Sequence, residues 1–122
     1  MSGRADENMA DVIAAAKEKF DVIITDGHIL LIDIDSKSQM QQYVKMMNTF
    51  AEQFELEEKE RWASKDGGTH IVVGCASYLE PLERIALQAC LGSDPKREIL
   101  GLKHIGNGIE EFSFLFRPRR AA

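Results

Sequence analysis

The sequence predicts an α+β domain in which helices cover a mainly antiparallel sheet. Three observations predict it: β-branched runs beside Asp-Gly turns, amphipathic stripes at helical spacing between those runs, and their order, α-β-β-α-β-β-α, a short helix, then β. The chain has 122 residues, 44% hydrophobic and 29% charged, with 15 Lys+Arg against 20 Asp+Glu for a formal charge of −5. These proportions describe one globular domain over 9–116, with a flexible polar segment at 1–8 and a basic tail at 117–122.

Met9, Val12, Ile13, Ala16 and Phe20 follow the i, i+3, i+4, i+7 rule and predict a helix ending near Phe20. The runs 21–25 and 29–35 flank Asp26-Gly27-His28 and predict a hairpin. The second run is apolar on both faces, which predicts a central strand. Ser36 or Asp35 caps the next helix, whose buried stripe is Met40, Tyr43, Val44, Met47, Phe50 or Ala51, and Phe54. The charged run 56–64 and the apolar run 69–75 form a second hairpin around Lys65-Asp66-Gly67-Gly68. Leu82, Ile85, Ala86, Ala89 and Cys90 make a third helical stripe, closed by Gly92. Ser93-Asp94-Pro95 starts a short helix or turn, Pro95 suiting a first helical position and Asp94 its cap, and 111–116 alternates as a final strand.

No apolar run reaches the roughly 18 residues of a membrane span, and the N-terminus lacks the apolar stretch of a signal peptide, so the expectation is a soluble, cytoplasmic protein. The acidic balance argues against wholesale coating of nucleic acid, which needs a Lys/Arg surplus. Cys75 and Cys90 sit in apolar runs without metal-ligand spacing and read as small buried residues rather than a disulfide or zinc site.

Asp33 and Asp35 are two apart on a strand, so their carboxylates leave one face. Such a pair either shares a proton or is held ionised by a cation, and it suits Mg²⁺ or Mn²⁺ bound together with substrate phosphates. The alternative is a strand that has reached solvent, with Asp35 capping the next helix. His70 follows Gly67 and Gly68, which let a phosphate approach the backbone, and its imidazole offers a hydrogen bond or a charge. The competing reading is a partly buried strand histidine. Ser64 and Lys65 can donate to and neutralise a phosphate, whereas Trp62 reads as a core anchor before a base-stacking platform. Lys96 and Arg97 stand in a first helical turn, where the dipole gives a cation nothing, which hints at a ligand role, with Arg97 as the candidate, against the leading reading of a solvated surface. His28 and His104 have no visible partner in the sequence. The cluster Arg117, Arg119 and Arg120 is too short to set specificity, and the acidic stretch Glu52, Glu55, Glu57, Glu58 and Glu60 reads as a solvated face.

Leu30-Leu31-Ile32-Asp33-Ile34-Asp35 followed by Ser64-Lys65-Asp66-Gly67-Gly68-Thr69-His70-Ile71-Val72-Val73 resembles the first two motifs of the archaeo-eukaryotic primase (primase-polymerase) superfamily. Residues 89–98 resemble segments of short phage proteins related to primases, so the likeness is to a minimal phage-type primase-like domain. The resemblance implies an RRM-like catalytic sheet, Asp33 and Asp35 as ligands of Mg²⁺ or Mn²⁺, and His70 touching nucleotide phosphate. It also implies a third carboxylate, for which Asp94 is the candidate and Glu110 or Glu111 the alternatives. Absent are the zinc-binding elements and second lobe of synthesising members, and no basic template surface replaces them.

The sequence thus leaves three readings. One is metal-dependent nucleotidyl transfer in DNA replication or repair, with Asp33, Asp35 and His70 as catalytic residues and a nucleoside triphosphate or nucleic-acid end as partner. Another is a non-catalytic nucleotide, nucleic-acid or protein-binding module of the same fold, such as a phage accessory or inhibitor protein in the host cytoplasm. The last is an ordinary interaction domain in which these residues are unconnected.

Overall fold

Each strand-forming run of the sequence extends as expected, but two of them choose other neighbours. The computed structural model describes residues 20–24, 26–107 and 114–118. In chain order these contain β1 (Phe20–Ile24), β2 (Ile29–Ile34), α1 (Lys37–Phe50), β3 (Leu56–Ala63), β4 (Thr69–Cys75), α2 (Pro81–Cys90), α3 (Pro95–Gly106) and β5 (Phe114–Pro118). They fall in two compact units, one of β1 with β5 and one holding everything from Asp26 to Asn107. The fold class is α+β, with a three-stranded antiparallel sheet of order β2-β4-β3 and three helices among the described residues.

The helix predicted over Met9 to Phe20 lies outside the described residues except at Phe20, which opens β1. The first predicted hairpin does not form. β1 pairs with β5, and β2 pairs with β4. The Asp-Gly turn survives only locally, as a bridge in which the Ile29 amide donates to the Asp26 carbonyl at 3.3 Å. The second hairpin forms as expected, with a bulge between Glu58 and Glu60. The last strand runs two residues past its predicted end, to Pro118.

One face of the larger sheet carries Leu30, Ile32, Ile34, Ile71, Val73 and Cys75, which pack with Tyr43, Met40, Met46 and Met47 of α1. Ser36 caps α1 by accepting from the Gln39 amide at 3.2 Å. Val44 and Phe54, expected in the buried stripe, are exposed, and Met46 takes a partly buried place. The opposite face of the sheet carries Leu31, Asp33, His70, Val72 and Trp62 in register.

β2 is an edge strand, not a central one. It reads as central because its free edge is covered all the same. The Leu31 amide donates to Gln88 Oε1 at 3.0 Å and the Leu31 carbonyl accepts from Arg97 Nη1 at 2.8 Å. The Asp33 amide donates to Ser93 Oγ at 3.0 Å and the Asp33 carbonyl accepts from the Asp94 amide at 2.9 Å. The α2–α3 segment therefore does for β2 what a neighbouring strand would do, which backbone polar groups under cover require.

That duty turns α2 round. Arg84 at 3% exposure and Gln88 at 0% face inward with Ile85, while Leu82 at 56%, Ala86, Ala89 and Cys90 face outward. The apolar stripe predicted for this helix is thus exposed apart from Ile85, and of the two cysteines expected inside only Cys75 is buried. The helix after Asp94 is longer than the short one expected, at 12 residues, with Pro95 in its first turn.

On the α1 side of β3, the Tyr43 hydroxyl donates to Glu58 Oε1 at 2.6 Å, and Arg61 donates to both carboxylate oxygens, Nε at 3.0 Å and Nη2 at 2.5 Å. The Arg61 hydrogen bonds hold the Glu58 carboxyl below its ordinary value despite partial burial. A carboxylate whose pKa is lowered on folding stabilises the protein above its unfolded pKa, and that stability is lost as pH falls through the folded value. Arg61→Ala is therefore expected to cost about 0.5–1 kcal/mol near neutral pH, a partly exposed pair being screened. Melting temperatures of the two proteins measured down the pH scale should converge as pH falls through the lowered folded value of Glu58; a gap independent of pH contradicts the ion-pair account.

Candidate metal centre

Strand alternation and register put Asp33 and His70 opposite each other on β2 and β4, with Trp62 opposite His70 on β3. His70 Nε2 stands 3.3 Å from Asp33 Oδ1, and the Trp62 ring meets the imidazole edge-on with centroids 5.6 Å apart. His70 Nδ1 is buried without a hydrogen-bond partner. This pattern assigns the proton to Nε2, where it is donated to Asp33, and leaves Nδ1 as a bare lone pair rather than an orphaned N–H.

Asp35 lies just past the end of β2, where its amide donates to Gln39 Oε1 at 2.9 Å. Gln39 Nε2 in turn donates to the Gly92 carbonyl at 3.0 Å, so one amide side chain ties the end of β2 to the turn between α2 and α3. That turn delivers Asp94, the N-cap of α3, whose Oδ1 accepts from the Lys96 amide at 3.2 Å. Gly92 permits the turn, with φ of +89° and a Cβ position only 2.7 Å from the Gln39 carbonyl oxygen.

The result brings together three acids from two distant parts of the chain. Asp33, Asp35 and Asp94 each offer a carboxylate oxygen, and these all lie within 4.8 Å of one another. Burial, then the charges of Asp33 and Asp94, raise the Asp35 carboxyl above its ordinary value, and Asp66 adds to the effect. Like charges so placed call for a proton or a cation. Ligand oxygens around an octahedral Mg²⁺ or Mn²⁺ stand about 3–4.2 Å apart at metal–oxygen distances of roughly 2.1 Å, and the three side chains, within 4.8 Å of one another, could hold a metal ion. An oxygen-only set also matches the hardness of the cation.

The other residues singled out from the sequence take varied places. Ser64 Oγ accepts from the Gly68 amide at 2.9 Å, and the Ser64 amide donates to the Gly68 carbonyl at 2.9 Å, so Ser64 closes the hairpin. Gly67 has φ of +89°, and a Cβ on Gly68 would run into the Ile34 carbonyl oxygen and lie 3.0 Å from Asp35 Oδ1. Lys65 is exposed on the same loop. Arg97 serves the Leu31 carbonyl, and burial pushes its guanidinium below its ordinary value. His28 Nδ1 lies 3.1 Å from the Cys75 carbonyl oxygen, and its ring meets Tyr78 edge-on. Glu110, Glu111, Arg119 and Arg120 lie outside the described residues, and Arg117 is in β5.

Sequence reasoning missed Gln39, Gln88, Ser93 and Glu98. Gln88 Nε2 donates to Glu98 Oε1 at 2.7 Å, and Arg84 Nη1 donates to Gln88 Oε1 at 3.2 Å. The available signal was the polar pair Arg84 and Gln88, four apart on a helix otherwise apolar except for Glu83.

No protein-family model matches the chain, and no curated protein and no solved structure is significantly similar to it.

Proposed function

We propose that the chain is a divalent-metal-dependent nucleotide-binding domain, with Asp33, Asp35 and Asp94 holding Mg²⁺ or Mn²⁺ and a nucleoside triphosphate or nucleic-acid end docking through its phosphates. The observation that carries this reading is the convergence of the three carboxylates beside His70. The cation, when bound, supplies charge neutralisation for phosphate oxygens. The chain's own residues do the rest. His70 orients the Asp33 carboxylate, Gly67 and Gly68 keep the loop beside Asp35 free of side chains, and exposed Lys65 adds a cation for phosphate. Resemblance to the primase-polymerase core, with its RRM-like sheet, supports a nucleotide as ligand and extends the reading to nucleotidyl transfer in DNA replication or repair.

The non-catalytic version has an observation in its favour. Arg97 and Ser64, expected to hold phosphate, are engaged by the Leu31 carbonyl and the Gly68 amide, and His70 faces Asp33. A module so arranged binds nucleotide through the cation and needs no catalytic step.

Calorimetric titration with Mn²⁺, and then with a nucleoside triphosphate in its presence, tests the proposal. Wild type is expected to bind the nucleotide only with the cation, and Asp33→Ala with Asp35→Ala to lose both affinities by about 100-fold or more, since each removed ligand carries a full charge. Absence of binding, or binding unchanged in the double variant, sinks it. Incorporation of labelled nucleotide into primed DNA separates the catalyst from the binder.

A further inference from the structure

Asp33 and Asp94 are far apart in sequence, yet they meet through one backbone hydrogen bond and one to the Ser93 side chain. The Asp33 amide donates to Ser93 Oγ at 3.0 Å, and the next residue, Asp94, donates its own amide to the Asp33 carbonyl at 2.9 Å. Ser93 is 2% exposed, so water does not compete for its hydroxyl. Its backbone is fixed as well, the Ser93 amide donating to the Gln88 carbonyl at 3.1 Å. The Glu98 carboxylate lies beside this hydroxyl, a buried group with Oε1 on Gln88 Nε2 and Oε2 3.6 Å from Arg97 Nη1. A hydroxyl that accepts from the one residue and sits next to the other in the chain is placed to fix their separation.

We propose that Ser93 is a positioning residue for the acid trio, its hydroxyl locking the Asp33 backbone to the head of α3 and thereby setting the Asp33–Asp94 spacing and the affinity for a divalent cation. The inference rests on the cation-binding reading above, and it adds a residue that touches neither cation nor nucleotide. Ser93→Ala removes the acceptor and leaves the Asp94 amide, its own acceptor being the Asp33 carbonyl, chemically intact.

The test measures Mn²⁺ affinity by calorimetry and amide hydrogen exchange at Asp94 by NMR, in wild type, Ser93→Ala and Ser93→Thr. Ser93→Ala is expected to lose about tenfold or more in Mn²⁺ affinity and to exchange faster at Asp94, with Ser93→Thr recovering both. A folded Ser93→Ala with wild-type affinity, or with wild-type exchange at Asp94, overturns the proposal. Should Ser93→Ala not fold, Ser93→Cys replaces it: close in size but a weak acceptor, it is expected to lose affinity by a smaller factor, and equal affinity overturns the proposal too. Wild-type protein that binds no Mn²⁺ overturns the proposed function itself, and the exchange data then decide separately whether Ser93 governs the Asp33–Asp94 junction.

Discussion

Gln88→Leu is expected to destabilise the protein by on the order of 3–5 kcal/mol, the summed cost of leaving several buried polar groups unpaired at about 1–3 kcal/mol each. Gln88 is fully buried and its amide serves the Leu31 amide, Arg84 and Glu98 at once. Leucine matches its size, so the loss is one of hydrogen bonding and not of volume. Against a whole-domain stability of roughly 5–15 kcal/mol, a urea denaturation curve should show a large drop in midpoint at constant slope. Gln88→Glu separates the two halves of the amide. It keeps an acceptor for Leu31 and Arg84 but sets a second carboxylate against Glu98, whose carboxyl burial already raises above its ordinary value. A carboxyl raised in the folded state destabilises once ionised, so the Gln88→Glu deficit should be largest near neutral pH and shrink as acidification restores an O–H donor. A deficit that grows with acidification rules out this account of the Gln88 hydrogen bonds.

The same Gln88 hydrogen bonds explain which parts of the fold were legible in the sequence. Periodicity and apolar runs located the described elements except α3, which Asp94 and Pro95 announced, because strand and helix repeats come from the burial of side chains, which composition records directly. Pairing was less legible. Asp26-Gly27 promised a β1–β2 hairpin, but β5 offers β1 a partner of complementary length, and nothing local in the sequence announces a strand some 90 residues away. The apolar faces of β2 suggested a central strand because they report coverage without saying whether strands or side chains supply it. For α2 the rule that apolar residues face inward failed. An edge strand whose backbone must be satisfied draws Arg84 and Gln88 inside, and Leu82, Ala86 and Ala89 are left outside.

The acid trio divides in the same way. Asp33 and Asp35 were visible from strand alternation, and Asp94 was nominated without a strand to carry it. The structure shows why none is needed: the Asp94 amide pairs with the Asp33 carbonyl in the manner of a ladder while its side chain caps α3. Ser93, Gln39 and Gln88, which hold that geometry, carry no motif because an amide or hydroxyl that serves backbone groups depends on tertiary placement alone.

Gly68→Ala is expected to damage both fold and site, and comparison with Gly67→Ala isolates the reason. A Cβ on Gly68 would collide with the Ile34 carbonyl oxygen and press on Asp35 Oδ1 and Ser64 Oγ, at 3.0 and 3.1 Å. The first of these is backbone of β2 and cannot rotate aside, so the hairpin must lift away from the strand end. Overpacking of this kind costs about 2–3 kcal/mol, on the order of 10 °C in melting temperature for a domain of this size. Gly67 has nothing within 4 Å of its Cβ position, and its φ of +89° alone opposes a side chain. Gly67→Ala should therefore lose only about 1–2 kcal/mol and keep wild-type Mn²⁺ affinity, whereas Gly68→Ala, by displacing Asp35, should weaken Mn²⁺ binding about tenfold. Thermal melts with and without Mn²⁺ read both effects: cation-induced stabilisation retained in Gly67→Ala and diminished in Gly68→Ala ties the second glycine to the metal centre, and equal behaviour of the two variants detaches it.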